Sequence, residues 1–466
     1  LSKYQVVVIG GGPGGYETAI RLNQYGINCA LIEQERLGGV CLNRGCIPTK
    51  ALVKSAELFE QMSDASDYGL QSVNLDLDYT KVFERKNAVV EQLVSGVEFL
   101  FRKRNIPVIK ARAERISAGE NGYTVHISTG EAVEAEYLVI ATGSAPKSLP
   151  GISIDEKDIL SSTGLLNLST LPKSLAVVGG GVIGCEFASI MNSFGVEVHI
   201  IEFLPRIIAN EEEEISKRLA LALKKTGIKI STGVGVQAIS PVENGQELLL
   251  SDGSRLVFEK VLMSVGRDPR PNLVWDATAP ALERGAIVID EMMRTSLPAV
   301  YAIGDVTGKL PLAHTASKQG LIVAGHLRSL IQGTEFEYPA LDYANIPRCT
   351  FTHPEVASVG YTEAEARERF GEVKTGKFPF SANGKALAMS GTYGFVKTIA
   401  RADTDALVGM HIIGLNAAEL IAQGAILISL EAKSDAAEHF TFAHPTLSEA
   451  VKEALEDLND LSIHKI

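Results

Sequence analysis

Residues 4–15 read YQVVVIGGGPGG, and residues 174–184 read SLAVVGGGVIG. In each stretch an apolar run ends on the spacing Gly-x-Gly-x-x-Gly. The glycines are Gly10, Gly12 and Gly15 in the first copy and Gly179, Gly181 and Gly184 in the second. After a strand, the first glycine permits a tight turn and the second lets the backbone approach a pyrophosphate. The third lets helix and strand pack closely. Pro13 lies near the helix start, where its missing N–H costs nothing, and the helix N-terminus then faces the phosphates. An acid ends the next strand in both copies: Glu33 and Glu202 each lie 23 residues after the first glycine, placed to accept from ribose hydroxyls. One such fingerprint alone is weak; strand, helix start and acid together are far more specific.

The repeat continues downstream. Asn121-Gly122 in the first copy and Asp252-Gly253 in the second stand between alternating apolar runs, a hairpin signal. These meanders end in YLVIATG (residues 137–143) and VLMSVG (residues 261–266). The sequence therefore encodes two similar dinucleotide-binding units in series. From about residue 340 onward no fingerprint recurs. Strands at Phe351 and over residues 394–398 and 407–413 mix with helical patterns over 417–430 and 448–458. Such a region forms an oligomer interface or completes an active site.

Length and composition agree with this division. A chain of 466 residues predicts two to four domains, with cores large enough to need no disulfide staples. The net charge of −12 argues against nucleic acid, because a phosphate-binding surface needs an excess of Lys and Arg. Five scattered cysteines are too few for a secreted disulfide framework, so the sequence predicts a reducing compartment with one special pair. No apolar run approaches a membrane span. The first strand, at residues 5–9, starts almost at once, so no targeting segment is expected before it. The chain opens on Leu1 rather than Met, which is compatible with removal of a preceding segment. The expected location is cytoplasmic, with an organelle matrix or stroma after loss of a transit peptide as the alternative. Glu202 favours NAD over NADP, because a carboxylate accepts from a 2′-OH and repels a 2′-phosphate. Phe203 and Leu204 follow it rather than arginine, and Arg206 is the one nearby cation in sequence.

The stretch 37–52 reads LGGVCLNRGCIPTKAL. In a regular helix residues i and i+5 lie roughly 8–9 Å apart, whereas a disulfide needs Cα atoms within about 7 Å. A bond between Cys41 and Cys46 therefore requires a departure from helical geometry. Gly45 permits one and Pro48 removes a helical hydrogen bond. The spacing alone favours two buried free thiols; after a nucleotide fingerprint, and flanked by Gly-Gly and Pro, the redox reading is preferred. A helix start at this point would stabilise a thiolate. Cys29, Cys185 and Cys349 read as buried packing residues.

Taken together these motifs resemble the dihydrolipoamide dehydrogenase and glutathione reductase family, over nearly the whole length. CLNRGCIPTK looks most like the lipoamide branch. Residues 179–188, GGGVIGCEFA, are similar to the family's NAD motif, and Ala141-Thr142-Gly143 to its ATG motif. Residues 301–305, YAIGD, look like the second FAD motif, and Leu312-Ala313-His314 resembles the segment whose backbone meets the flavin. HPTLSE, residues 444–449, resembles the C-terminal motif that supplies an acid/base across a dimer.

The resemblance implies an α/β fold of two Rossmann-like dinucleotide-binding domains, for FAD and NAD, plus an α+β C-terminal dimerisation domain. The expected boundaries are 1–146 and 269–339 for the FAD-binding domain, 147–268 for the NAD-binding domain and 340–466 for the interface domain. It implies that Cys41 exchanges with a dithiol substrate and that Cys46 faces the flavin as thiolate. Lys50 is implied to lie near the flavin, paired with Glu186. Asp305 and Ala313 are implied to hold FAD, together with the fingerprint residues Gly10, Gly12, Gly15 and Glu33, the Thr142-Gly143 pair and the backbone of Ala113. Val234 and Gly266 are implied to line the NAD site with Gly179, Gly181, Gly184 and Glu202. His444 takes the substrate proton, oriented by Glu449. No metal is expected.

Some residues depart from the family pattern. Val40 stands where Thr is usual, Thr49 where Ser is frequent, and Phe442 where many members have a second His. Residues 266–272, GRDPRPN, look lengthened. The expected activity is oxidation of protein-bound dihydrolipoamide with reduction of NAD+ via FAD, in a homodimer. Expected partners are a lipoyl-bearing protein or acyltransferase core of a 2-oxoacid dehydrogenase complex, or a glycine cleavage lipoyl protein. An acidic surface would suit a basic docking domain. The alternatives are an NADPH-dependent, glutathione-reductase-like enzyme and a non-catalytic FAD-containing scaffold. Arginines around the second acid would favour the former and are missing; the intact cysteine pair and His444 argue against the latter.

Overall fold

The computed structural model describes every residue except Leu1, residues 72–74, Glu120, Asn121, Glu337 and Ile466. Asn121 of the expected hairpin turn thus lies outside the described residues. The chain divides into two compact units. The first comprises Leu1–Ala51, Thr80–Lys147 and Gly266–Leu341; the second comprises Leu52–Tyr79, Ser148–Val265 and Asp342–Ile466.

In the first unit, strand Ser2–Ile9 is central. It pairs in parallel with Cys29–Glu33 on one side (Val6 opposite Cys29) and with Ala132–Ile140 on the other (Val6 opposite Tyr137). Val6, Val7 and Val8 are wholly buried, as a continuous apolar run requires when both sheet faces are covered. Val300–Ala302 adds in parallel to Ala132–Ile140. Strand Gly122–Ile127 pairs antiparallel with Ala113–Gly119 on one side and with Ala132–Ile140 on the other, forming the expected meander. Helices Pro13–Gln24 and Ala313–Gln332 pack against each other.

The second unit repeats the arrangement. Strands Lys229–Thr232, Glu197–Glu202, Ser174–Val178, Lys260–Met263 and Ile159–Leu160 form a parallel five-stranded sheet. Its meander is Val236–Val242, Gly245–Leu250 and Arg255–Phe258, and Asp252-Gly253 makes the second turn. A further antiparallel sheet, in the order Arg348–Thr350, Glu355–Gly360, Leu407–Gly414, Phe395–Arg401, Val373–Pro379, carries helices Ala417–Ser429 and Ser448–Glu456. Phe351, expected within a strand, falls just beyond one. Its N–H donates to the Glu186 carboxylate (3.0 Å) instead of to a neighbouring strand. Among the described residues no helix is long and apolar enough to cross a membrane.

Candidate functional site

Each fingerprint becomes the same local structure, and the reasons are steric. Gly10 has φ +111°, and a Cβ there would lie 2.3 Å from the Ala141 carbonyl oxygen. Gly179 has φ +105°, with the Ser264 carbonyl oxygen 2.5 Å from the same position. Gly12 and Gly181 start their helices with extended backbone, no side-chain cap, and nothing within 4 Å of a would-be Cβ. Free N–H groups at a helix N-terminus, opening onto space that only a Cβ would fill, fit a pyrophosphate. The residues present therefore fit a dinucleotide at both places.

The two acids are fixed by their own loops. Glu33 accepts the Gly11 N–H on Oε2 (2.7 Å) and the Glu35 N–H on Oε1 (2.7 Å). Glu202 accepts the Gly180 N–H on Oε2 (2.5 Å) and the Leu204 N–H on Oε1 (2.6 Å). Each oxygen keeps acceptor capacity for a hydroxyl, so a ribose would meet an oriented carboxylate. Arg206 donates to the Glu211 carbonyl (2.7 Å), within its own loop. Val234 donates its N–H to the Glu202 carbonyl (3.1 Å) and is half-buried.

Further residues of the first unit gather near the ends of its strands. Thr142 Oγ1 donates to the Arg270 carbonyl (2.6 Å), and the Arg270 N–H to the Gly143 carbonyl (2.9 Å). Gly266, at φ +115°, accepts the Lys147 N–H (3.1 Å). Asp305 lies in the turn Gly304–Thr307 and accepts from Ser144 Oγ on Oδ2 (2.5 Å), with Arg267 Nε 3.8 Å away. Arg267 also donates to Ser144 Oγ (2.7 Å) and to its carbonyl (2.9 Å). Ala313 opens helix Ala313–Gln332, and Ala113 begins its strand, buried. Sequence reasoning missed Ser144, Arg267 and Arg270. The one signal was the unusual run GRDPRPN, whose residues Arg267–Pro269 pair with Ser144–Pro146 as a short ribbon.

Cys41 and Cys46 form a disulfide with Cα atoms 4.7 Å apart, well inside the helical i, i+5 spacing. The departure occurs where glycine permits it. Helix Gly39–Arg44 stops at Gly45 (φ −146°, ψ −112°), and Cys46 opens the helix Cys46–Ser63. A Cβ on Gly45 would stand 3.0 Å from the Val40 carbonyl oxygen and 3.3 Å from Cys41 Cα. The Thr49 N–H and Oγ1 both bond the Gly45 carbonyl (3.1 and 2.6 Å), closing the first turn of the second helix despite Pro48. Both cysteines are half-buried, and Lys50 follows on the same helix, also half-buried. The other thiols differ in kind. Burial pushes Cys29 up to about 12 and Cys185 higher still, which leaves them as unreactive thiols. Cys349, expected to be buried, is half-buried, because its strand is the edge of its sheet.

His444 stands before Pro445, and helix Ser448–Glu456 places Glu449 in its first turn. His444 Nδ1 lies 2.9 Å from Glu449 Oε1, while Oε2 accepts the Thr446 N–H at 2.9 Å. Burial would raise the Glu449 carboxyl; the Thr446 N–H and His444 outweigh it and hold the group below its ordinary range. A carboxylate on Nδ1 requires the proton there and leaves Nε2 as the base. The imidazole is 79% exposed, so it can meet a partner from outside this unit. Glu186 is buried on helix Val182–Ser193. Among the described residues no His, Cys and carboxylate cluster could hold a metal ion.

The chain is also similar to known proteins in sequence and in fold. The family model described as pyridine nucleotide-disulphide oxidoreductase matches residues 4–320, and its dimerisation domain matches residues 346–455. A dihydrolipoyl dehydrogenase of Bacillus subtilis is 39% identical over 478 residues, covering 99% of each chain. That of Zymomonas mobilis is 41% identical over 97% of each, and the mitochondrial enzyme of Pisum sativum 38% identical over 98% of this chain and 92% of its own. Among solved structures, the HOCl-induced flavoprotein disulfide reductase RclA from Escherichia coli superposes with a TM-score of 0.86 at 30% identity, covering 97% and 99% of the two chains.

Proposed function

The chain belongs to the pyridine nucleotide-disulphide oxidoreductase family, and on that premise we infer that it oxidises dihydrolipoyl groups through the Cys41–Cys46 disulfide, with FAD and NAD as cofactors. The observation that carries this is the disulfide itself. It sits at a helix break that brings two cysteines to bonding distance directly downstream of a dinucleotide cradle.

The residues then take these roles. A cysteine-like thiol has a pKa near 8.5, so a dihydrolipoyl thiol is protonated at neutral pH and needs a base. His444 Nε2 accepts its proton while Glu449 balances the imidazolium. The resulting thiolate attacks Cys41 and releases Cys46 as a thiolate. The second substrate thiol then attacks the substrate sulfur bonded to Cys41 and passes its proton to the departing Cys41, so the substrate leaves as a disulfide, and a Cys41 thiol and a Cys46 thiolate keep the two electrons. The helix start at Cys46 stabilises the negative charge there. Bound FAD supplies the two-electron chemistry that carries these electrons onward to NAD+. Gly10, Gly12, Gly15 and Glu33 would hold its pyrophosphate and ribose. Asp305 and Ala313, with Lys50, Ala113, Thr142 and Gly143, would hold the rest. Gly179, Gly181, Gly184 and Glu202 would hold NAD, with Val234 and Gly266 beside it. Arg206, tied to its own loop carbonyl, supports NAD rather than NADP.

The dimerisation-domain match supports a homodimer in which His444 of one subunit serves the cysteines of the other. Lipoyl domains of a 2-oxoacid dehydrogenase complex or of glycine cleavage are the partners this chemistry fits. A cytoplasmic location suits the bacterial relatives, and an organelle matrix suits the plant one. The test is anaerobic titration with dihydrolipoamide, watching for a long-wavelength thiolate–flavin band and then NADH on addition of NAD+. Turnover only with oxidised glutathione and NADPH would overturn the assignment. If dithiol left the flavin spectrum unchanged, a scaffold role would replace it.

A further inference from the structure

Five side chains form one row across the antiparallel sheet of the second unit: Arg348, Ser358, His411, Lys397 and Lys377. Each is directly opposite the next in the strand register. Directly opposed residues share a sheet face, and like charges there repel. This row holds three cations, and it is answered by acids from one short run. Glu211 accepts from Arg348 (3.3 Å) and from Ser358 Oγ. Glu212 pairs with Lys397 (2.9 Å), and Glu214 with Lys377. Glu213 points away, to Lys217 on its own helix. The Lys397 and Glu212 side chains are each 8% exposed, so this pair is desolvated rather than screened. Glu363 adds a second carboxylate on Lys397 (2.7 Å) and gives its N–H to Glu212 (3.0 Å).

The acids end the loop that begins at Glu202, and that loop is strained and bonded to the second fingerprint. Ile208 has φ +38°, which a β-branched residue adopts only when its surroundings compel it. Its N–H donates to the Gly180 carbonyl (2.7 Å), while the Gly180 N–H donates to Glu202. The Glu211 N–H returns to the Ile208 carbonyl (2.9 Å), and Ser216 Oγ bonds the Ile207 carbonyl (2.6 Å). Gly180 is thus gripped on one side by the ribose acid and on the other by the loop that the row anchors.

We propose that this row of ion pairs is a positioning device for the second dinucleotide site. Glu211 and Glu212 are positioning residues that hold Ile208 on Gly180, and so set NAD affinity without touching the dithiol chemistry. The proposal rests on the reading that residues 179–184 bind NAD. The sheet of the C-terminal region thereby tunes a site built on a different sheet of the same unit.

The test uses the FAD-loaded enzyme with Glu212→Gln, Lys397→Gln and the double variant. It reads KM for NAD+, KM for dihydrolipoamide, kcat, and the affinity of ADP-ribose, a probe without redox chemistry. Each single variant is expected to raise KM for NAD+ and the ADP-ribose Kd about tenfold, leaving kcat and KM for dihydrolipoamide within about twofold. The double variant should fall short of the product of the singles, since the pair acts as one unit. Lys397→Arg, which keeps the charge, should restore most of the affinity. If Glu212→Gln does not fold, Glu211→Gln is read in the same way. Unchanged ADP-ribose affinity in these variants overturns the positioning role, as does an equal rise in both KM values. If the wild-type enzyme fails to bind ADP-ribose, or Gly181→Ala leaves its binding unchanged, the reading of the fingerprint fails first and the proposal with it.

Discussion

Gly15 passes so close to Gly10 that a Cβ on it would stand 1.8 Å from the Gly10 carbonyl oxygen, and Gly184 repeats this with Gly179 at 2.0 Å. Nothing lies within 4 Å of a Cβ at Gly12 or Gly181. The third glycine of each fingerprint is thus demanded by the fold, and the second only by a ligand. Gly15→Ala should lower the thermal midpoint and strip FAD together. Gly12→Ala should leave the apoprotein midpoint within a degree or two, yet weaken FAD binding about tenfold or more, a loss of about 1.4 kcal/mol. Thermal scans of apo and FAD-loaded protein separate the two. A Gly12→Ala apoprotein as destabilised as the Gly15→Ala one would refute the distinction.

These fingerprints were legible in sequence because their meaning is local. Gly10 to Glu33 spans one strand, one turn, one helix and the next strand, so spacing alone fixes geometry. Cys41 and Cys46 were legible for the same reason: Gly45 and Pro48 sit between or beside them. The row from Arg348 to Lys377 was not legible. Its members come from five strands whose register is set by tertiary packing, and the acidic run Glu211 to Glu214 carries no local mark of the partners it finds. Ser144 lies 123 residues from Arg267 and 161 from Asp305 in sequence, and it is the backbone ribbon between Ser144–Pro146 and Arg267–Pro269 that brings Ser144 to Arg267. The edge position of Cys349 likewise follows from strand order, which no local pattern encodes.

Gly45 controls the approach of the two cysteines. A methyl group there meets the Val40 carbonyl oxygen at 3.0 Å and Cys41 Cα at 3.3 Å, so one helix end must shift away from the other. Gly45→Ala should therefore slow reduction of the disulfide by dihydrolipoamide, by about tenfold for a displacement of under 1 Å. Flavin content should stay unchanged. Rapid-mixing measurement of the reductive half-reaction checks this; a wild-type rate would remove Gly45 from the mechanism.

Glu449 is held ionised below the usual carboxylate range, by the Thr446 N–H and by His444, against the opposing effect of burial. Its carboxylate therefore stays anionic across the working pH range and keeps the His444 proton on Nδ1. His444→Gln should lower kcat by about a hundredfold or more. Glu449→Gln should lower it less, because Nε2 remains and only its orientation and charge balance are lost. A kcat for Glu449→Gln below that of His444→Gln would place the catalytic base elsewhere. Flavin spectra of both variants should match the wild type.

His411 lies at the centre of the cationic row, wholly buried. Its Nε2 is 2.9 Å from the Tyr361 carbonyl, which requires the proton on Nε2, and Nδ1 has no hydrogen-bond partner among the described residues. Burial lowers its pKa and Arg348 acts in the same direction, while the Tyr361 carbonyl, Glu211 and Glu212 pull it partly back. Ser358 and Lys397 flank it in the row. A histidine whose pKa is lower folded than unfolded binds fewer protons in the native state between the two values. Its contribution to stability is then complete above the unfolded value of about 6.5 and is lost as the pH falls from there through the folded value. One proton allows a slope of at most about 1.4 kcal/mol per pH unit. His411→Gln keeps a donor for Tyr361 and cannot titrate. The wild-type unfolding midpoint should therefore drop more steeply than that of His411→Gln between pH 7 and about pH 5, and the two curves should run parallel above pH 7. Identical slopes over the acidic range would assign the acid sensitivity to other groups, with the carboxylates of the row, Glu211 and Glu212, as the next to replace.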